Sequence, residues 1–143
     1  MMLKTILEAT ENFCIHQIRV PHEISDTVIK TRMLIAYIDI EMQEESKSHR
    51  IYLGATPSFA QRVSTIFLEE EESDDETLVD MMLETANLIV GSAKVIAEES
   101  NINPFIIKTP HFEKNDIFDF EYDQVKVIKI QEDEMIIAIK ELD

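Results

Sequence analysis

Apolar residues at helical spacing predict one long helix between residues 73 and 100. When these residues are placed around a helix at about 100° each, a buried stripe about 80° wide is formed by Met82, Ala86, Ile89, Ala93 and Ile96. Ser73 and Glu76 have the spacing of a capping box, so the helix is expected to begin at Ser73. No proline follows until Pro104, which leaves room for about seven turns.

The opposite side of this helix carries a strip of polar and small residues. Asp80, Glu84, Asn87 and Gly91 fall within an arc about 60° wide. A solvated helix face is the simple explanation for the two carboxylates, because helices that face water normally carry charge. Asn87 is harder to explain, since its amide competes for backbone hydrogen bonds, and Gly91 costs about 1 kcal/mol relative to alanine. Two local costs on one face indicate a functional site.

Two shorter helices are predicted before the long one. The first covers residues 1 to about 12, and its apolar repeat consists of Leu3, Ile6, Leu7, Thr10 and Phe13. The second begins at Thr56 and Pro57, which fit an N-cap followed by proline at the first helical position. Its apolar stripe is formed by Phe59, Val63, Ile66 and Phe67.

Alternation of apolar and polar residues with period two predicts a mostly antiparallel sheet. The predicted extended segments are 15–20, 28–42, 50–53, 105–108, 118–122, 125–130 and 135–142. Polar turns are expected at 44–48 and 101–104, and the acidic face of 28–42 is expected to meet solvent. Paired strands with helices grouped between them indicate a single α+β domain over residues 1–143, in which the sheet packs against one long and two shorter helices.

Composition and charge narrow the possible functions. The chain of 143 residues has a formal net charge of −16, which repels phosphate backbones and anionic membranes, so neither nucleic-acid binding nor binding to a membrane surface is expected. No membrane insertion is expected either, because no apolar run has the length of a membrane span. Cys14 is the single cysteine and is expected to be a small buried hydrophobe. With no signal peptide and no apolar run of membrane length, a cytoplasmic location is expected.

Several kinds of chemistry find no support in the residues. The four histidines are scattered without a pair at i, i+4, so no zinc site is expected. The sequence contains no Walker A, G-x-G-x-x-G or G-x-S-x-G motif. His111 is interpreted as a surface residue, although its place after Pro110 could bring it near the helix face. The acidic run 69–76 is interpreted as a solvated loop, because consecutive side chains point in different directions and hold a cation poorly.

The polar strip resembles the motif of a known family. Asp80, Glu84, Asn87 and Pro110 meet the spacing of the CheX/CheC group of chemotaxis phosphatases: an Asp or Ser, three residues, Glu, two residues, Asn, twenty-two residues and Pro. The run 84–94 also resembles the CheX form of the helix. The resemblance implies a CheC-like fold and, as substrate, the phospho-aspartate of a CheY-type response regulator. By the same resemblance, Asn87 orients the hydrolytic water and Glu84 pairs with a lysine of the regulator, while Asp80, Gly91 and Pro110 support the site.

The resemblance has further implications for cofactor and assembly. It implies no cofactor in this chain, with Mg²⁺ belonging to the partner regulator, and a homodimer joined through sheet edges. A local motive for the dimer is the apolar closing hairpin near a chain end, which would invite pairing as an edge strand; its apolar residues are Val125, Val127, Ile130, Met135, Ile137 and Ile139. Two alternatives stay open: a non-catalytic regulator-binding module related to flagellar switch proteins, and a purely structural subunit.

Overall fold

The computed structural model of the chain describes residues 2–43, 46–100 and 105–142. Within these ranges the helices are α1 (Met2–Phe13), α2 (Pro57–Leu68) and α3 (Asp75–Glu99), and a π-helical turn (Cys14–Ile18) follows α1. The strands are β1 (Glu23–Ser25), β2 (Arg32–Met42), β3 (Lys47–Ala55), β4 (Phe105–Ile107), β5 (His111–Ile117), β6 (Gln124–Ile130) and β7 (Asp133–Leu142). The predicted turn at 101–104 lies outside the described residues, as do part of the predicted turn at 44–48, Met1 and Asp143.

The seven strands form one sheet in which every described pairing is antiparallel, so the predicted α+β class is confirmed. The strand order is β1-β6-β7-β3-β2, and β2 is paired on its far side by β5 along one half and by β4 along the other. The strands β2 and β3 pair over their full overlap from Leu34↔Ala55 to Met42↔Lys47. The sheet therefore has β1 at one edge and β4 with β5 at the other.

The three helices cover one face of the sheet. The large side chains of that face are fully buried beneath them, namely Ile38, Ile40, Ile51, Leu53 and Ile137. On the α3 side the contact is made partly by Ala86 and Ala93, both 0% exposed, because small residues let the helix axis approach the sheet closely. α3 thereby lies against β2 and its neighbours β3, β4 and β5, with its other side facing outward.

The opposite face of the sheet carries a second, smaller core. Met33 and Ile35 of β2 are fully buried there together with Ile136 and Ala138 of β7. The face of β2 predicted to meet solvent is therefore covered at its apolar end, whereas its acidic end, with Asp39 and Glu41, is only half-buried.

The aromatic residues Phe118, Phe120 and Tyr122 do not form the predicted strand at 118–122. The strand is β5, and residues 118–123 instead cross over the second core. Phe120 stacks on Tyr52 with ring centroids 4.8 Å apart, and Phe118 meets the same ring edge-on at 5.6 Å. This segment therefore packs its aromatic rings on the face of the sheet and does not pair with an edge strand. The alternation of apolar and polar residues could not distinguish these two arrangements.

The segment 15–20, predicted to be extended, is also different in the structure. A π-helical turn continues α1 and ends at Arg19, whose φ of 63° is left-handed. Cys14 and Ile18, four residues apart, both enter the main core, while Ile15 is 54% exposed. The helical conformation of this segment therefore agrees with the spacing of Cys14 and Ile18, which are both buried.

The second helix begins as predicted. The Thr56 hydroxyl accepts a hydrogen bond from the Phe59 N–H at 3.3 Å, and Pro57 occupies the first turn. Phe59 and Val63 are buried, but Ile66 and Phe67, predicted to belong to the same stripe, are 38% and 37% exposed. The last turn of α2 therefore lies at the rim of the core, where Phe67 stacks on Phe13 of α1 at 6.2 Å.

Candidate functional site

The candidate site is built on α3, whose start differs by one residue from the predicted capping box. Asp74 is the N-cap, and its carboxylate accepts a hydrogen bond from the Thr77 N–H at 2.8 Å. Hydrogen bonding to the Thr77 side chain, together with that bond from its N–H, lowers the pKa of Asp74 below its ordinary value. Ser73 serves the preceding loop instead, since its N–H donates to the Gln61 side chain at 2.8 Å. Asp74, Asp75 and Glu76 place negative charge where a helix N-terminus favours it.

The buried side of α3 matches the predicted stripe and is wider. Met82, Ala86, Ile89 and Ala93 are at most 1% exposed, whereas Ile96 is half-buried. Further buried residues of the helix are Leu78, Met81, Thr85, Val90 and Ala97. α1, α2 and the sheet all contact this helix, so its buried arc serves three neighbours rather than the sheet alone.

The outward side carries the polar strip. Asp80, Glu84 and Asn87 are exposed and Gly91 is half-buried, so the four predicted residues do share one face. Among the described residues, the side-chain hydrogen bonds of α3 come from Asp74 and from Thr85, whose hydroxyl donates to the Met81 carbonyl at 2.7 Å. The polar ends of Glu84 and Asn87 are therefore left for solvent or another molecule.

Gly91 has no packing function within the described chain. A Cβ placed on this residue would meet no heavy atom within 4 Å. The packing of the helix therefore does not require a glycine at this position. Because Gly91 has no side chain, nothing projects from the polar strip one turn beyond Asn87.

Pro110 lies off the helix, in the connection between β4 and β5. It is half-buried, and α3 contacts both strands that flank it. Its neighbour His111 stacks on Tyr37 with centroids 5.2 Å apart. Because Tyr37 packs against the second core, His111 lies on the face of the sheet opposite the helices, away from the strip.

The strip continues an acidic surface. Nine carboxylates lie between Glu69 and Glu84, and none of them takes part in the ion pairs formed by the described residues. The lysines and arginines in those ion pairs bind carboxylates elsewhere, as Arg50 does with Asp39 and Arg62 with Asp133, each at 2.7 Å. The first half of α3 and the loop before it therefore present uncompensated negative charge.

Sequence reasoning missed Leu88, which directly follows Asn87. It is 41% exposed, although it is a large apolar residue in the middle of α3. The sequence did contain a sign of this exposure: on a helix, Leu88 lies 100° from Asn87 and outside the predicted buried arc.

No group of three or more His, Cys, Asp or Glu side chains is placed to hold a metal ion in the part of the chain that the structure describes. None of the helices described here combines the length and the apolar composition that a membrane span requires.

Neither a protein-family model nor a curated protein matches this sequence. Solved structures do match. Chemotaxis protein CheX from Vibrio vulnificus has a TM-score of 0.82 at 16% identity, covering 99% of this chain and 96% of that one. CheX in the CheX–CheY–BeF3–Mg²⁺ complex from Borrelia burgdorferi has a TM-score of 0.68 at 16% identity over 98% of both chains. The FliM middle domain from H. pylori has a TM-score of 0.53 at 13% identity, covering 95% and 84%.

These matches confirm the fold implied by the motif. The chain has the fold of CheX and CheC-like chemotaxis proteins, with three helices on one antiparallel sheet. The FliM domain has a similar fold at a lower score.

Proposed function

We propose that this chain is a phosphatase that hydrolyses the phospho-aspartate of a CheY-type response regulator. The observation that carries the proposal is Asn87, an exposed amide in the middle of a helix with no hydrogen-bond partner among the described residues. Glu84 lies on the same face one turn earlier, and both belong to a motif whose spacing runs from Asp80 to Pro110. A fold shared with CheX proteins, one of them solved in complex with CheY, supports the same partner.

Asn87 is assigned the positioning of water. An aspartyl phosphate is an acyl phosphate and is already reactive, so hydrolysis requires an oriented water more than a protein nucleophile. The Asn87 amide offers an N–H donor and a carbonyl acceptor, which together can fix a water in line with phosphorus. As the water oxygen bonds to phosphorus, the bond from phosphorus to the aspartyl oxygen breaks. Both water protons leave with inorganic phosphate, and the regulator recovers its carboxylate.

Glu84 is assigned the recognition of the regulator. Its carboxylate is exposed and forms no ion pair with the described residues. A lysine of the regulator beside the phosphoryl group would form a charge-assisted hydrogen bond with it. Because Glu84 and Asn87 are three residues apart, both side chains approach the same partner surface.

The remaining motif residues are assigned support. Asp80 continues the acidic strip one turn before Glu84, and Gly91 leaves room for the partner backbone beyond Asn87. Pro110 fixes the loop that enters β5. No cofactor is assigned to this chain, since Mg²⁺ held by the regulator supplies charge neutralisation at the phosphoryl group.

A docking module without catalysis is the second candidate, favoured by the similarity to the FliM middle domain. Both candidates use the acidic face of α3 to bind a regulator. They differ in whether the amide of Asn87 changes the lifetime of the phosphoryl group.

Phosphate release from phosphorylated response regulators, with and without the protein, separates the two functions. A phosphatase accelerates release at concentrations well below that of the regulator, because each molecule turns over repeatedly. A docking module binds the regulator and leaves the release rate unchanged, and that result would reject the proposed function.

A further inference from the structure

An apolar groove lies beside the polar strip. It is formed by α1, the π-helical turn, the end of α2 and the middle of α3, and its cavity volume is about 310 Å³. We call it the α1–α3 groove; Phe13, Phe67, Leu88 and Ile89 form its apolar walls, and Ser92 and His16 are among its polar residues. Its size is at the lower end of pockets that hold a ligand, roughly 300–1,000 Å³, which suits one or two large side chains.

The rim of the groove exposes apolar surface that the described chain does not cover. Phe67 is 37% exposed and Leu88 is 41% exposed, and they come from different helices. Phe67 is held in place by stacking on Phe13 at 6.2 Å. Large apolar side chains gathered at the mouth of a cavity are typical of a surface that another protein covers.

The groove is continuous with the strip that carries the proposed chemistry. Leu88 follows Asn87 directly and lies one turn beyond Glu84, so the two residues are neighbours on the helix surface. Ser92, on the groove side, follows Gly91. A partner protein that touches both Glu84 and Asn87 therefore reaches the mouth of the groove.

The surroundings of the groove define the charge of its occupant. The run of Glu69, Glu70, Glu71 and Glu72 starts two residues after Phe67, and all four are exposed. Glu84 borders the other side through its position next to Leu88. An apolar side chain flanked by lysine or arginine is complementary to this combination.

We propose that the α1–α3 groove is the specificity pocket for the response regulator, receiving an apolar side chain that has basic neighbours on the regulator surface. The proposal rests on the proposed function for the identity of the partner. It assigns affinity and partner choice to the groove, whereas Asn87 carries the rate. A CheY-type regulator without such an apolar–basic pair next to its phosphorylation site is then a poor substrate.

Leu88→Ala tests the groove against a matched control. Leu68→Ala removes the same side chain at similar exposure, 45% against 41%, from a residue that does not line the groove. We expect Leu88→Ala to raise KM for the phosphorylated regulator about tenfold with kcat within about twofold, because a covered leucine is worth about one factor of ten. Leu68→Ala should match the wild type.

The charge of the occupant is tested separately. The double substitution Glu71→Lys, Glu72→Lys should raise KM several-fold at low salt, and the difference should shrink as salt rises because the contact is screened. A KM that is unchanged, or that falls, would show that the occupant is not basic and would overturn this part of the proposal.

Binding to a beryllofluoride-loaded regulator distinguishes failure of the groove from failure of the function. If the wild type binds without turnover and Leu88→Ala still weakens binding about tenfold, the groove stands and the phosphatase function falls. If the wild type turns over and Leu88→Ala has the wild-type KM and Kd, the groove proposal falls alone. If the wild type binds no regulator, both the groove proposal and the proposed function are overturned. If Leu88→Ala changes only the self-association of the protein, the groove is a contact between copies, and the groove proposal is overturned.

Discussion

The amide of Asn87 lies twelve residues from either end of α3, where no helix cap can use it. Asn87→Ala should leave the fold intact and favour the helix by roughly 0.5 kcal/mol, because alanine is the better helix former. Losing an oriented donor at a reacting centre costs on the order of 10²–10³ in kcat. We therefore expect phosphate release to be nearly abolished while the regulator is still bound.

Asn87→Asp is the sharper form of this test. It keeps the size of the side chain but loses the N–H donor, and it brings a negative charge towards an anionic phosphoryl group. Single-turnover dephosphorylation by this variant should be no faster than by Asn87→Ala. Near-wild-type rates in either variant would reject water positioning by Asn87.

Glu84 should affect binding more than rate. Removing its carboxylate deletes a charge-assisted contact with the regulator, so we expect Glu84→Ala to raise Kd about tenfold. Stability should change by less than about 0.5 kcal/mol, because the residue is exposed. Titration calorimetry at low and high salt measures both the loss and its screening.

Glu98→Ala is the matched control for Glu84→Ala. Glu98 is also exposed and lies on the same side of α3, about four turns further on. The Glu98→Ala substitution removes the same charge from the chain and leaves the motif residues unchanged. Equal effects of the two substitutions would mean that net charge, and not a contact at Glu84, governs binding.

The buried thiol of Cys14 makes the stability of the folded state depend on pH in the alkaline range. Its thiol is 0% exposed, and burial, aided by the nearby charge of Glu11, raises its pKa from 9.0 to about 11. The folded state therefore holds this proton more tightly than the unfolded state, so stability present below pH 9 is lost as the pH rises from about 9 to about 11. The loss should be on the order of 1–2 kcal/mol.

Denaturant unfolding at pH 8 and pH 10.5 measures this loss. Other groups titrate in the same range, so the wild type is compared with Cys14→Ala at each pH. The difference in unfolding free energy between the two proteins should change with pH. A constant difference would show that the Cys14 proton is not linked to folding.

The two sides of α3 should respond oppositely to added methyl groups. Gly91→Ala adds a Cβ that meets nothing within 4 Å, so it should raise the free energy of unfolding by about 0.5–1 kcal/mol. Ala93 is fully buried two residues later, so Ala93→Leu should overpack the core and lower it by roughly 1–3 kcal/mol. Chemical denaturation of both variants checks the assignment, and the reverse signs would mean that the faces are exchanged.

The stripe of α3 and the start of α2 could be predicted from the sequence, because the residues that helical periodicity places on one face are the ones that are buried. The stripe from Met82 to Ala93 and the cap at Thr56 follow directly from local rules. The segment 118–122 was not predictable, because Phe118 and Phe120 alternate as a strand does but are buried against Tyr52. The helix start moved from Ser73 to Asp74 because Ser73 bonds to Gln61 of α2, a contact that the local sequence does not reveal.

The polar strip was predictable and the groove beside it was not, for one physical reason. Asp80, Glu84, Asn87 and Gly91 belong to a single helix, so their spacing alone places them together. The α1–α3 groove needs residues from four consecutive helical segments whose packing depends on the whole core. Strand order is likewise a property of the assembled sheet, and it overturns the local motive for a homodimer.

Most of the apolar closing hairpin is not at an edge. β7 lies between β6 and β3 and is paired on both sides, whereas β6 is paired by β7 on one side and, on the other, by the short β1 along residues 127–129 only. Among the described residues, the free edges are β1, with three residues, the uncovered residues 124–126 of β6, and β4 with β5. A homodimer joined through sheet edges therefore has to use one of these edges, and β5, with seven residues, is the longest.

We predict that two copies pair through β5. An isologous antiparallel pair places Ile117, which is 39% exposed at the end of this strand, at the contact between copies. Ile117→Lys should shift the protein from dimer to monomer and raise the dimer Kd at least about tenfold, because a buried apolar contact is replaced by charge. Ile24→Lys is the matched control, since Ile24 is 43% exposed on the opposite edge strand β1.

Sedimentation velocity over a wide concentration range measures the three proteins. The wild type and Ile24→Lys should sediment at twice the mass of one chain, and Ile117→Lys should dissociate on dilution. If Ile24→Lys dissociates instead, the dimer uses the β1 edge. A wild type that remains monomeric at every concentration removes the homodimer altogether, because most of the hairpin that first motivated it is already paired inside the sheet.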